Sequence, residues 1–451
     1  MIKNREETIE TIINGLEGKD LDLLYNLLGD FQPADVAEII AELDPAQRGD
    51  VFELLDEDTA ALVLDMLDTP VISSLFERLT PSKLAVILNE MSSDDAADLL
   101  GGLPEGQRES LLGLMLTEEA DDIQELLEYD SKTAGGIMAT EYVAVPQDIT
   151  TGRAIEVLRE TAPDAETVYY VYVVDKKNRL VGVITLRELI VTAPETPIEE
   201  IMHRNVISVS VDMDQEDVAE VVSKYNFLAV PVIDKDKSLL GIVTVDDIID
   251  VIYEEATEDF FLLGGSTEPA EDGKSFLVSA LQSRLPWLLI TMVEGLLAGR
   301  VLHGLERELS AVVALAFFIP LLTGMGGNVG TQSATIAVRG LATGQIETKD
   351  VFRISLREAG AGTILGMING GIVALVAYFW QNNFILGLIV GLAMVGNMTT
   401  AALMGTLVPI FFKRVGIDPA VASAPFITAS IDITGLLIYS ALASMLIGFL
   451  L

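Results

Sequence analysis

The sequence YVYVVDKKNRLVGVITLRELI at residues 170–190 returns as AVPVIDKDKSLLGIVTVDDII at residues 229–249, so the chain contains an internal repeat. The two copies align at a constant offset of 59 residues and keep an aspartate, a glycine and a threonine in register. Each copy has the pattern of a β-branched strand ending in aspartate, a turn, a second strand and a helix that follows threonine. The sequence therefore predicts a tandem pair of small α/β units.

On the N-terminal side of this pair, short apolar segments recur about every twelve residues. Each begins near one of five prolines, which are Pro33, Pro45, Pro70, Pro81 and Pro104. Proline is favoured in the first turn of a helix because the N–H that it lacks would have no partner there. This spacing predicts a solenoid of short stacked helices, which forms a scaffold or contact surface rather than a catalytic pocket.

On the C-terminal side, five apolar runs are each long enough to cross the roughly 30 Å hydrocarbon layer of a membrane. They are residues 285–302, 311–338, 361–380, 385–412 and 424–451. Three regions between or before these runs are basic and contain Lys274, Arg284, Arg339, Lys349, Arg353, Arg357, Lys413 and Arg414. The positive-inside rule places those regions in the cytoplasm. The N-terminal part is then also cytoplasmic and, because five is odd, the chain ends outside.

The charge of the chain is concentrated in its first part. Residues 1–273 hold 60 acids and 18 bases, whereas residues 274–451 hold 8 acids and 10 bases. Such an acidic surface repels nucleic acid and attracts cations. The chain has no cysteine and two histidines, which argues against thiol chemistry and a zinc enzyme. Without a nucleophile, a base and an oxyanion site, we expect no enzyme.

Two membrane motifs carry a family resemblance. They are PLLTGMGGNVGTQSATIAVRGLATG at residues 320–344 and PFITASIDITGLLIY at residues 425–439. The internal repeat is similar to a pair of CBS domains, and the order of modules resembles the bacterial MgtE family of magnesium channels over essentially the whole chain. The resemblance implies a multidomain protein with an all-α N-domain, an α/β CBS pair, a connecting helix with its linker, and an all-α domain of five membrane helices. These modules are expected at residues 1–130, 131–245, 246–273 and 274–451.

The resemblance further implies a homodimer in the lipid bilayer of the cytoplasmic membrane. It would take up Mg²⁺ as a channel and be closed by cytoplasmic Mg²⁺. Two positions depart from the family pattern. Ala424 stands where asparagine is frequent, and Asn226 stands where an acid is frequent.

The expected ion site is centred on Asp432, the one acid in the fifth run. An ionisable group at bilayer depth normally faces water or a partner. Pro425, Thr428 and Asp432 are spaced i, i+3 and i+7, so they share one helix face. A hydrated Mg²⁺ is commonly held by one or two carboxylates, which two copies of Asp432 would supply. The alternative is an acid that pairs with arginine or is buried as a neutral carboxyl.

The second run is rich in glycine and polar residues. This composition predicts a non-helical backbone that lines a cavity. Asn328 and Gln332 are the residues of this run that we expect to line the pore. The alternative is close packing of helices through small residues. Glu294, in the first run, has no assigned role.

The helix after the second repeat carries a stripe of acids at Asp247, Asp250, Glu254 and Glu258. Their like charges repel, and bound divalent ions would reverse the sign of that interaction. The resemblance makes this segment the connecting helix, bridged by Mg²⁺ to other acidic surfaces. The further regulatory candidates are Asp94, Asp95, Asp98, Asp214, Glu216, Asp246, Glu255, Asp259 and Asp418. For each single acid, a solvated surface is the alternative.

Thr244 and Asp247 are expected to contact ATP or another adenosine nucleotide, as the equivalent residues of CBS pairs often do. The alternative for Thr244, and equally for Thr185, is a helix cap. Two other classes stay open at this stage. One is a secondary transporter that exchanges the divalent cation for Na⁺ or H⁺, and the other is a membrane-anchored nucleotide sensor without a pore.

Overall fold

A computed structural model describes residues 5–18, 20–267, 276–346, 348–421 and 424–450. Lys274 and Leu451, which entered the topology prediction, lie outside these ranges, as does part of the expected linker. The chain divides into two compact units. The first is Met1–Tyr253, and the second comprises Glu254–Ala270 and Lys274–Leu451.

The first unit begins with ten short helices. They are α1 (Arg5–Gly18), α2 (Leu21–Gly29), α3 (Pro33–Glu42), α4 (Pro45–Phe52), α5 (Glu57–Asp65), α6 (Thr69–Phe76), α7 (Pro81–Leu88), α8 (Ser93–Gly101), α9 (Glu105–Leu112) and α10 (Thr117–Leu126). Proline opens α3, α4 and α7, as the spacing predicts. Elsewhere a side chain caps the helix, as where Asp56 accepts a hydrogen bond from the Thr59 amide.

The repeat forms two three-stranded sheets of the same topology. Their elements are β1 (Ala144–Pro146), α11 (Thr151–Thr161), β2 (Tyr170–Val174), β3 (Leu180–Thr185), α12 (Leu186–Val191), α13 (Ile198–Ile201), β4 (Val209–Ser210), α14 (Gln215–Tyr225), β5 (Ala229–Ile233), β6 (Leu239–Thr244) and α15 (Val245–Leu263). In each sheet the first pair of strands is parallel and the second antiparallel. A register shift falls at Val173/Val174 in one copy and at the equivalent Val232/Ile233 in the other. The predicted duplication is therefore confirmed in its details.

One hydrophobic core joins the helical region to the second repeat. It runs from Ile12 of α1 through Leu100 of α8 to Val230 of β5 and Ile248 of α15, all of them buried. A separate small core links the two repeats, where Tyr172 of β2 packs with Ile242 of β6. The N-terminal helices thus pack on the second repeat within the first unit.

The membrane part contains α16 (Phe276–Gly304), a short α17 (Glu306–Ala311), α18 (Ile319–Ala342), α19 (Val351–Gln381), α20 (Phe384–Arg414) and α21 (Ala424–Leu450). Five helices among the described residues are long and apolar enough to cross a membrane, and they coincide with the five predicted runs.

The expectation of non-helical backbone in the second run is wrong, because α18 is an unbroken helix. Its glycines serve close packing instead. A Cβ atom on Gly330 would overlap the side chain of Ile431 in α21, and one on Gly405 of α20 would overlap the carbonyl oxygen of Gly330. The glycines therefore let the backbones of α18 and α20 approach closely and make room for the Ile431 side chain of α21, as small residues allow in membranes.

Candidate ion pathway and regulatory sites

A cavity of about 450 Å³ lies between α16 and α21 inside the second unit. Pro425, Thr428 and Asp432 of α21 line it together, as their spacing predicts. From α16, Thr291 and Glu294 face the same space. The helical spacing in the fifth run thus identifies one wall of the cavity.

Asp432 has one carboxylate oxygen, Oδ1, that is buried and has no hydrogen-bond partner among the described residues. The structure likewise records no ion pair between Asp432 and an arginine or lysine of those residues, so the arginine-pair alternative finds no support there. A buried carboxylate oxygen without a partner is costly, more so at membrane depth. Asp432 is therefore placed to accept hydrogen bonds from a hydrated ion or water.

Asn328 and Gln332 do not line this cavity. Both are exposed on the single chain, whereas their neighbours Gly327 and Thr331 face Thr428. The hydroxyl oxygens of Thr331 and Thr428 lie 3.5 Å apart. The two amide side chains thus stand on the surface beside the wall of the cavity.

Asn397 of α20 is fully buried, and its Nδ2 donates a hydrogen bond of 2.6 Å to the Leu322 carbonyl oxygen of α18. A Cβ atom on Gly326 of α18 or on Gly435 of α21 would lie against this amide. Asn397 therefore holds three helices together.

The last turn of α15 lies against the membrane helices of the second unit. Leu262 packs with Val338 of α18 and with Ala420, in the turn before α21. Just beyond the helix, Gly265 has a φ of +71° and sits against Pro425, at the start of α21. A side chain at Gly265 would be strained by this φ and would clash with the proline. The end of the connecting helix is thus held beside one wall of the cavity.

Within the first unit, carboxylates from distant parts of the chain gather where the N-terminal helices meet the repeats. Asp94 and Asp95 come from α8, Asp65 from α5, Glu166 from the first repeat and Asp247 from α15. We call these five residues the acidic cluster. Asp94, Asp95 and Asp247 were predicted from the sequence, whereas Asp65 and Glu166 were not, because no local pattern connects them to the rest.

Burial and mutual repulsion raise the pKa values throughout the acidic cluster. Burial, and then the charges of Asp95, Asp250 and Asp247, raise the pKa of Asp65 to about 7. Burial and neighbouring carboxylates raise the pKa of Glu166 to about 7 and that of Asp247 to about 6. Asp94, only 6% exposed, has its pKa raised chiefly by burial. The cluster thus favours protons or cations over free carboxylates.

A third carboxylate that no sequence pattern indicated, Glu141, joins α8 to the first repeat. Glu141 accepts hydrogen bonds from the Ser93 amide, at 3.1 Å, and from the Ser93 hydroxyl, at 2.8 Å. The same hydroxyl accepts a hydrogen bond from the Thr140 amide at 3.0 Å. Ser93 therefore fixes the helix that carries Asp94 and Asp95.

The remaining regulatory candidates lie nearer the surface. Asp214 caps α14 by accepting a hydrogen bond from the Glu216 amide, and Asp418 accepts one from the Ala420 amide. The others are exposed or partly exposed, and they are Asp98, Glu216, Asp246, Asp250, Glu254, Glu255, Glu258 and Asp259. Within the described ranges, no three His, Asp or Glu side chains are grouped tightly enough to hold a metal ion directly. Any Mg²⁺ held here would be bound mainly through its waters, as is usual for this ion.

Thr244 and Asp247 are hydrogen-bonded to each other at the start of α15. The Thr244 hydroxyl donates to Asp247 Oδ2 at 2.5 Å, and the Thr244 amide donates to the same oxygen at 3.2 Å. In the first repeat, Thr185 and Glu188 form a full capping box, in which the Glu188 amide donates to the Thr185 hydroxyl at 3.3 Å. The helix-cap alternative is thus realised for Thr185. In the second repeat the Thr244 hydroxyl donates to Asp247, and its oxygen can still accept a hydrogen bond from a ligand.

Comparisons with known proteins cover all three modules. A family model described as a divalent cation transporter matches residues 319–442, the MgtE intracellular N domain matches 31–132, and the CBS domain matches 134–194 and 198–254. The magnesium transporter MgtE of Enterococcus faecalis is 46% identical over 333 residues, 74% of this chain and 73% of that protein. The magnesium transporter MgtE of Thermus thermophilus is 40% identical over 361 residues, 78% of this chain and 79% of that protein.

Two solved structures match a little over half of the chain. The soluble part of a magnesium transporter superposes with a TM-score of 0.52 and 42% identity, covering 56% of this chain and 99% of that one. The cytosolic domain of the Mg²⁺ channel MgtE in complex with ATP gives a TM-score of 0.52 and 39% identity, covering 54% and 99%.

Five apolar helices together with these matches define a multi-pass membrane protein of the divalent cation transporter class. The members of this class are transporters and not enzymes. The chain belongs to the MgtE family.

Proposed function

We propose that the chain is a channel that takes up Mg²⁺ across the cytoplasmic membrane, and the observation that carries this is the cavity beside Asp432. Six waters at about 30 Å³ each occupy roughly 180 Å³, so a fully hydrated Mg²⁺ fits a cavity of about 450 Å³. Mg²⁺ keeps its waters and is usually gripped through them by carboxylates. Relatives at 40–46% identity are named magnesium transporters, which supports this substrate.

We further propose a homodimer with the first unit in the cytoplasm and the C-terminus outside. Asn328 and Gln332 are polar and exposed on a membrane helix of the single chain. Polar side chains at bilayer depth are favoured where protein or water covers them. A second copy facing α18 would cover both and bring two copies of Asp432 to one pathway.

The experiment is Mg²⁺ flux into liposomes that contain the full chain, measured with and without Na⁺ and H⁺ gradients. A channel passes Mg²⁺ down its own gradient, independently of the other two. Flux that requires a Na⁺ or H⁺ gradient would instead identify an exchanger, and no flux in any condition would contradict the proposal.

Regulation is proposed to act through the acidic cluster together with the acidic stripe of α15 and the other acidic surfaces named above. Mg²⁺ bound there on the cytoplasmic side stabilises the packed arrangement of the N-terminal helices and repeats, which closes the channel. The raised pKa values support this, because carboxylates held together at a cost bind cations that relieve the repulsion.

A soluble fragment of residues 1–265 is expected to compact, resist protease and unfold at higher temperature when Mg²⁺ reaches millimolar levels, and more so at pH 8 than at pH 5.5. Asp65 and Glu166 have a higher pKa in the folded fragment than in the unfolded chain. The free energy of unfolding of the fragment therefore falls as pH rises from about 4 to about 7, because the folded form still holds protons that the unfolded form has released. Above that range Mg²⁺ can replace those protons. Two weak sites would raise the unfolding temperature by about 3–6 °C.

The control for this fragment is NaCl at the same ionic strength. The regulatory proposal fails if Na⁺ and Mg²⁺ give the same scattering, proteolysis and unfolding temperature. An equal response to Mg²⁺ at pH 5.5 and pH 8 would remove the acidic cluster from the proposal, since its protons would then not compete with the ion.

The repeats are also proposed to bind ATP or another adenosine nucleotide, supported by the cytosolic domain of a 39% identical relative solved with ATP. Thr244→Val removes a hydroxyl and should weaken ATP binding about tenfold, the value of one good hydrogen bond. Thr185→Val is the matched control, because it removes the equivalent cap from the first repeat. Titration calorimetry with the fragment measures both, and equal ATP affinity in the two variants would refute the assignment to Thr244.

A further inference from the structure

Glu294 is the acid of the first apolar run to which the sequence analysis assigned no role. In the structure it belongs to α16 and lines the same cavity as Asp432 of α21. One carboxylate oxygen of each residue, Oε2 of Glu294 and Oδ1 of Asp432, is buried without a hydrogen-bond partner among the residues described. Two carboxylates on two different helices therefore line one cavity, and each has an oxygen without a hydrogen-bond partner among those residues.

Another polar group of the cavity wall, the Thr291 hydroxyl, favours a ligand that donates hydrogen bonds. The Thr291 hydroxyl lies within donating distance of its own helix carbonyls, 3.2 Å from Trp287 O and 3.0 Å from Leu288 O. A hydroxyl that donates its one hydrogen bond to its own helix can only accept hydrogen bonds from a ligand in the cavity. Carboxylate and hydroxyl acceptors together suit an ion whose water shell offers donors only, which is the case for hydrated Mg²⁺.

We propose that Glu294 is a second carboxylate of the ion site, which together with Asp432 holds the water shell of a divalent cation between α16 and α21. Within one subunit, the two carboxylates match the charge of a divalent ion bound between α16 and α21, whereas a hydrated monovalent ion would leave one of these negative charges unbalanced in the membrane. Glu294 thus determines affinity and preference for divalent over monovalent cations. This inference rests on the proposed function, since it assigns a further residue to the same pathway.

Glu294→Gln should raise the half-saturating Mg²⁺ concentration of flux about tenfold and leave the maximal rate within about twofold. A divalent ion about 6 Å from a carboxylate, in a water-like dielectric, loses that much affinity when the charge is removed. Glu294→Asp restores the charge and should stay close to the parent. Glu358→Gln is the matched control, because Glu358 lies on α19, away from the cavity, and accepts a hydrogen bond from Ser333 at 3.3 Å.

A second measurement does not depend on transport. Dicyclohexylcarbodiimide labels carboxyls in apolar surroundings, and mass spectrometry of the solubilised full chain reports labelling of Glu294. Millimolar Mg²⁺ should protect Glu294, NaCl of the same ionic strength should not, and Asp432→Asn should abolish the protection.

The outcomes separate the two claims. This inference is overturned if Glu294 is labelled to the same extent with Mg²⁺ and with Na⁺. It is also overturned if the Glu294→Gln variant has the same half-saturating Mg²⁺ concentration of flux as the parent. Protection of Glu294 in a chain that carries no Mg²⁺ flux would overturn the proposed function and leave the binding site standing.

Discussion

Replacing Asp432 by alanine is expected to reduce Mg²⁺ uptake by about a hundredfold or more while leaving a folded dimer. A divalent ion about 5 Å from one carboxylate gains roughly 2–7 kcal/mol as the effective dielectric falls from 80 to 20, and 1.4 kcal/mol corresponds to a factor of ten. Asp432 supplies this interaction from the wall formed by Pro425 and Thr428. Flux into liposomes at several Mg²⁺ concentrations measures the loss, and size-exclusion chromatography checks the assembly.

Asp432→Asn is the informative companion variant, because it keeps the shape and loses the charge. If charge is the main contribution, the asparagine variant should resemble the alanine variant. Glu358→Ala serves as the control, since it removes a carboxylate of the membrane helices outside the cavity. Uptake at the parent's rate by Asp432→Ala would show that the ion takes another path.

The second large effect is expected from neutralising four acids of α15, three from the acidic stripe together with Glu255. With Asp247, Asp250, Glu255 and Glu258 changed to their amides, the channel should stay open at Mg²⁺ concentrations that shut the parent. The change removes repulsion that opposes closure and also removes ligands that drive closure. Asp250 is exposed, and Glu255 and Glu258 are partly exposed, so water and salt screen most of the repulsion. Asp247 is partly buried, and burial followed by the charges of neighbouring carboxylates raises its pKa to about 6, so its charge is the least screened of the four.

Loss of the bridging ions should dominate, and the Mg²⁺ concentration for half-closure should rise at least about tenfold, the effect of removing one weak site. Patch recordings from the inner face measure it. The matched control changes Glu105, Glu109, Asp121 and Glu128, which line a groove between α9 and α10, to their amides. This control removes the same charge from another surface. A stripe variant that closes like the parent, or that is shut without Mg²⁺, would contradict the proposal.

Local patterns in the sequence were sufficient for some parts of the fold. The repeat offset predicted two sheets of one topology, and prolines predicted where several helices begin. The i, i+3, i+7 spacing in the fifth run predicted one wall of the cavity. These features depend on residues close together in the chain, for which helical and strand periodicity are reliable guides.

Other parts depend on contacts between distant segments. Glycines in α18 suggested broken backbone, yet whether glycine breaks a helix or lets helices approach depends on the helix opposite, here α20 and α21. Asp65 and Glu166 join the acidic cluster only through folding, and 138 residues separate Glu294 from Asp432. In neither case does a regular spacing in the sequence show that the residues meet in the folded chain.

The connecting helix α15 is continuous over 19 residues and contains neither glycine nor proline. Its first turns contribute Ile248 and Val251 to the core of the first unit, and its last turn contributes Leu262 to a core of the second. A helix turns about 100° and rises 1.5 Å with each residue. One residue inserted into α15 would therefore turn and shift the last turn of the helix relative to its first turns by these amounts. Among descendants of a common ancestor, this segment should therefore change length less often than the loops that usually join domains.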